Sequence, residues 1–97
     1  MILLVALDLR QPANSYAGLY EVLKSKDSWW HYLRTTWLVS TDDSPQGLVD
    51  EMKPFLRTGD HVLVTRLTRP YQGWLPAKAW AWIKKHIDEE AEGWDSE

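Results

Sequence analysis

Residues 1–10 read MILLVALDLR, and between Ile2 and Leu9 only Asp8 breaks the apolar run. A short, continuous apolar segment of this kind suits a central β-strand covered on both faces. Strand alternation puts Leu3, Val5, Leu7 and Leu9 on one face and Ile2, Leu4, Ala6 and Asp8 on the other. The run has no basic flank, is too short to span a bilayer, and meets Asp8 and Arg10 almost at once. It therefore reads as a strand, and neither as a signal peptide nor as a membrane segment.

Working outward, Pro12 and Asn14 mark a loop and a helix start, and Tyr16, Leu19, Tyr20 and Leu23 at i, i+3, i+4 and i+7 form one apolar helical face. Residues 29–41 are rich in aromatic and β-branched side chains and read as two strand segments turned around residues 34–36. Ser44 followed by Pro45 is an N-cap with proline at the first helical position, and Leu48, Met52, Phe55 and Leu56 supply the buried face. Residues 61–67 form the last strand. Pro76 then opens a third helix in which Trp80, Ile83 and Ile87 share a face.

The order is strand, helix, strand, strand, helix, strand, helix. Its first six elements spell βαββαβ, the split-βαβ pattern, so the expected class is α+β, ferredoxin-like, with an additional C-terminal helix. Two helices on one face leave the opposite sheet face, with Ile2 and Leu4, open. Residues 1–87 make one domain, and residues 88–97 an acidic tail expected to fray or stay disordered.

The chain has 97 residues, 44% hydrophobic and 26% charged, a globular composition too short for a multidomain enzyme. It contains no cysteine, which excludes disulfides, thiolate metal sites and a cysteine nucleophile and fits a reducing cytoplasm. The net charge of −3 hides an asymmetry: residues 1–87 hold eight acidic against eleven basic side chains, about +3, and the last ten residues hold the other six acids.

No glycine-rich phosphate loop, nucleophile elbow or paired histidine motif is present, and His31, His61 and His86 fall in different elements. Asp8, a carboxylate ending an apolar strand, is the one catalytic candidate. Either it bonds locally to the turn that follows or to Arg10, or two copies meet across a two-fold axis and hold Mg²⁺ or Mn²⁺ for phosphodiester hydrolysis. Seven tryptophans exceed what a small core hides. Trp37 and Trp80 read as core. Adjacent Trp29 and Trp30 must face opposite sides of a strand, and Trp82 lies off the Trp80 face, so Trp29, Trp30, Trp74 and Trp82, with Ile2 and Leu4, are assigned to a homodimer interface. Arg10, Arg34, Arg66 and Arg69, interleaved with aromatics, are the candidate nucleic-acid contacts.

The segments Ser28-Trp29-Trp30-His31-Tyr32-Leu33, Thr36-Trp37-Leu38-Val39 and Gly73-Trp74-Leu75-Pro76, with Ala79-Trp80, resemble a group of small bacterial and phage proteins labelled "SinR family". Over residues 1–67 the order of elements, with Asp8 closing the first strand, also resembles the dimeric CRISPR-associated adaptation protein and virulence-associated protein D. These resemblances imply a ferredoxin-like homodimer, and in some relatives a metal-dependent nuclease that uses the first-strand aspartate; only Asp8 carries over here. No helix-turn-helix supports a repressor role. The favoured expectation is a non-catalytic, cytoplasmic homodimer that binds nucleic acid or another protein without membrane or cofactor. The alternative is the Asp8 nuclease with Mg²⁺ or Mn²⁺.

Overall fold

A computed structural model describes residues 1–90, and residues 91–97, most of the acidic tail, lie outside the described residues. The chain is α+β and its elements run β1 (Ile2–Asp8), a 3-10 turn (Ala13–Tyr16), α1 (Ala17–Lys24), β2 (Ser28–Leu33), β3 (Thr36–Ser40), α2 (Pro45–Met52), a second 3-10 turn (Lys53–Phe55), β4 (His61–Arg66) and α3 (Ala77–Glu90). The four strands form one sheet in the order β2-β3-β1-β4, and every neighbouring pair is antiparallel. β1 is central as its composition predicts, and β2 and β4 are the edges.

Local chemistry sets the element ends. The Ser44 hydroxyl accepts a 3.0 Å hydrogen bond from the Gly47 N–H, and Pro45 occupies the first helical turn of α2, where its missing N–H leaves no bond unmade. Pro54 ends regular α-helix and gives the 3-10 turn. Gly59, at φ +88°, takes the left-handed backbone needed to enter β4.

The pleat of β1 builds two cores. Leu3, Val5 and Leu7 pack with Trp37 and Val39 beneath Tyr16, Leu19 and Leu23 of the first helical segment and Leu48 and Met52 of α2. Ile2, with Trp30 and Leu38, packs on the other side against Ala79, Ile83 and Ile87 of α3, and Leu4 lies at the margin of this second cluster. The molecule is therefore three layers, with α1 and α2 on one face and α3 on the other.

This corrects the expectation of an open sheet face. A helix with an apolar stripe needs a surface to bury it, and α1 and α2 already fill the Leu3 side, so α3 takes the Ile2 side. Ile2 and Trp30 are consequently core residues and Leu4 is half-buried, so the sheet does not offer a second copy an open apolar plane. The face stays bare near β4, where Leu63 is 65% exposed and Asp8 and His61 are also exposed, and Leu33 is exposed beside the β2–β3 turn.

Polar ties hold the layers together. Lys26, after α1, pairs with Asp43 at 2.8 Å and Glu51 of α2 at 2.7 Å, and although partial burial works against its charge, the two carboxylates hold its pKa above the ordinary lysine value. On the other face the Trp82 indole N–H donates to the Ser28 hydroxyl at 2.8 Å and ties α3 to edge strand β2.

If α3 is integral to the fold, Ile83→Ala destabilises the protein by about 2–4 kcal/mol in urea unfolding, as expected for a buried aliphatic truncation. Leu63→Ala on the bare part of the same face should change stability by less than about 0.5 kcal/mol. Equal, small losses from both would show that α3 does not seal the second core.

Candidate functional site

Edge strand β2 carries three neighbouring rings, of which Trp29 is exposed, His31 half-buried and Trp30 buried, and its pairing with β3 is irregular just beyond them. Trp30 pairs with Leu38 and Leu33 pairs with Thr36, so His31 and Tyr32 together span what Trp37 alone spans on β3. This one-residue excess is a β-bulge, which twists a strand and re-aims its side chains. Trp30 and Leu33, three residues apart, consequently both line the α3 side.

On the α1 side the rings stack. The His31 imidazole lies on Trp37 with centroids 4.1 Å apart and planes 13° apart, Tyr20 of α1 stacks on the same indole at 5.7 Å, and Trp29 tilts against it at 5.3 Å. The Lys24 ammonium sits 5.3 Å from the Trp29 ring, a cation–π distance. Trp29 remains 42% exposed.

Around the strand edge, Trp29, Trp30, His31, Trp82 and Lys78 line an open groove of about 520 Å³. A separate hollow of about 410 Å³ is lined by Trp37, Tyr20, Gln11 and Arg34. The exposed Trp29 ring, the half-buried His31 and Trp82 rings, two lysines and an arginine thus lie in this region. Chemically, such a surface stacks flat conjugated groups and attracts anions.

The residues singled out from sequence do not form one site. Trp29, Trp30 and Trp82 converge on the groove, but Trp74 lies apart on the loop before α3 and is 99% exposed. The arginines divide between the two ends of the sheet. Arg10 follows the end of β1 and Arg34 lies in the β2–β3 turn, whose Thr35 carbonyl accepts from the Leu7 N–H. Arg66 pairs with Leu3 near the start of β1, with Arg69 just beyond. Seven residues of strand separate Leu3 from Arg10, on the order of 20 Å, so the four do not make a single phosphate track. The structure adds Lys24 and His31 to the site and puts Lys78 beside the rings. The signal that could have found them is spacing: Lys24, Trp29, His31 and Arg34 recur along the chain from the end of α1 through β2.

Asp8 is exposed, and its Oδ2 lies 3.9 Å from Nδ1 of His61, its partner across the β1–β4 ladder. Among the described residues no three His, Cys, Asp or Glu side chains converge on a point that could hold a metal ion. One chain therefore offers a cation two exposed ligands at most here, too few for a cage.

A different carboxylate, Asp60, carries the structural polar cluster. Its oxygens accept from the Arg10 N–H at 2.8 Å, the Arg57 N–H at 2.7 Å and the Tyr16 hydroxyl at 2.8 and 2.9 Å, while the Arg10 side chain donates to the Gly59 carbonyl at 3.2 Å. Desolvation works against ionising Asp60, yet these donors and the nearby Arg57 charge outweigh it and hold the carboxyl below the usual aspartate value. Burial pushes the Tyr16 phenol up; the Gln11 N–H opposes this, and the Asp60 carboxylate reinforces it. Arg10 is thus engaged in joining the exit of β1 to the entry of β4.

The sign of the linkage follows. Because the folded pKa of Asp60 is depressed, its contribution is complete above the unfolded value, near 3.8, and is lost as pH falls through the lower folded value. Asp60→Asn should lower the urea midpoint at neutral pH, and the wild-type and variant curves should converge in acid, where the protonated carboxyl and the amide are near-isosteres. Parallel curves down to the lowest pH would show that the Asp60 charge does not hold the loops.

With this geometry in view, the chain was compared with known proteins, and no protein family, curated protein or solved structure matches it.

Proposed function

We propose that this protein is a non-catalytic binding module of ferredoxin-like fold, acting as a homodimer, that takes single-stranded nucleic acid along the edge of β2. The strand order β2-β3-β1-β4, with helices following β1 and β3, supports the ferredoxin-like reading. The observation that carries the function is the groove in which the exposed Trp29 and the half-buried His31 and Trp82 lie over the buried Trp30, flanked by Lys78 and Lys24. Bases stack on ring faces irrespective of sequence, and lysines beside the rings meet the phosphates.

Phosphate contacts fall to Lys24, Lys78 and Arg34, which lie beside the rings, whereas the Arg10 side chain is turned to the Gly59 carbonyl at the β1–β4 junction. Arg66 and Arg69, at the other end of the sheet, would meet only a strand long enough to cross the molecule. The test is fluorescence anisotropy with labelled single-stranded DNA and RNA. Binding should weaken with added salt, and Trp29→Ala should weaken it about tenfold, within the range of one lost stacking contact. Lys78→Glu should also reduce the salt dependence. Absence of binding at low salt, or wild-type affinity in Trp29→Ala, would overturn the reading and leave a protein ligand for the groove.

The nuclease alternative keeps one favourable observation, the exposed Asp8–His61 pair on the bare part of the sheet. Because a single chain supplies only these two ligands, a Mg²⁺ or Mn²⁺ site there requires the same pair from a second copy. Metal-dependent cleavage of RNA or DNA by the wild type that disappears in Asp8→Asn would establish it. Cleavage unaffected by the substitution, or none with either protein, would leave Asp8 without a catalytic role.

A further inference from the structure

Trp74 is 99% exposed on the loop before α3, an exposure that a large apolar ring does not keep without a reason. Beside it opens an almost wholly apolar cleft of about 250 Å³, walled by Leu4, Leu33, Thr36, Tyr71 and Trp80. The two residues flanking Trp74, Gly73 and Leu75, also belong to the wall. Gln72 lines the wall as well, whereas Trp74 does not, so the ring stands outside the cleft of its own chain while its neighbours in sequence form the rim. The cleft is smaller than the roughly 300–1,000 Å³ of ordinary small-molecule sites and suits one flat ring system.

We infer that Trp74 inserts into this cleft on a second copy of the chain, and that the second copy's Trp74 fills the cleft of the first. A projection and a hollow side by side on one surface satisfy a two-fold axis, because each copy gives and receives the same contact and the assembly closes at two. A buried tryptophan covers roughly 150–250 Å² of its own surface. Two insertions with the walls they cover come to roughly 600–1,000 Å², below the ~1,200 Å² at which stable specific interfaces begin, so the dimer should be reversible with about micromolar affinity. The exposed Leu33 side chain at the mouth adds apolar rim. This inference rests on the homodimer reading and says how the copies meet, in place of the sheet face that α3 covers.

The experiment is sedimentation analysis of the full chain across the micromolar range, with wild type, Trp74→Ala and Leu33→Arg, each checked for folding by circular dichroism. Both substitutions fall at exposed positions. The wild type should approach twice the chain mass, and each variant should remain monomeric to at least tenfold higher concentration. Mixing the two variants should restore association, weaker than wild type, because Trp74→Ala retains an intact cleft, Leu33→Arg retains an intact Trp74, and one of the two insertions can form. A wild-type dimer that persists in Trp74→Ala overturns the insertion and leaves the homodimer standing; a monomeric wild type throughout the range overturns both. Failure of the mixture to associate, with both variants folded, also overturns the insertion.

Discussion

β1 is apolar on both of its faces, and a strand of that kind cannot stay in water on either side. Leu3, Val5 and Leu7 require one cover and Ile2 requires another. At about 25 cal/mol per Å² of apolar surface removed from water, leaving either face bare would forgo several kcal/mol, a large part of the margin by which a domain this small folds. The three-layer arrangement follows: α1 and α2 answer the first requirement and α3 the second. The hydrogen-bonded ladders on both flanks of β1 then fix the positions of β3 and β4, and through β3 that of the aromatic edge strand β2.

The two helical layers are fastened differently. On the α1/α2 side, Asp60 gathers donors from two loops more than forty residues apart in sequence, and Lys26 bridges α1 to the start and body of α2. On the α3 side the fastening is chiefly apolar, with the Trp82–Ser28 hydrogen bond at the edge. Charge-assisted bonds impose geometry, whereas apolar contact tolerates small sliding, so the first layer sets the frame against which the second seats.

Sequence periodicity made the elements legible because it is local. The alternation in residues 1–10, the Ser44-Pro45 cap and the Trp80–Ile83–Ile87 spacing each announce their element within a turn or two, and the element order follows directly. The side of the sheet that α3 covers is not a local property. It could still have been reasoned out, since Trp80, Ile83 and Ile87 had to bury themselves somewhere and Ile2 offered the remaining apolar surface. The site was less legible. Trp29 and Trp82 were identifiable as surplus to the core, but the bulge at His31–Tyr32 depends on pairing register with β3, which no spacing in β2 reveals. The role of Asp60 depends on partners at Arg10 and Tyr16 that only the closed fold brings near, and the separation of the arginines follows from strand direction.

That α3 follows all four strands in the sequence has a consequence for vectorial synthesis. A growing chain completes β1 through β4 before residues 77–90 leave the ribosome, so for that interval Ile2, Trp30 and Leu38 form an uncovered apolar surface on an otherwise closed sheet. Such a transient surface is one that chaperones and neighbouring nascent chains recognise. Arrival of Ala79, Ile83 and Ile87 is the step that removes it, so the second core closes only after the sheet is complete.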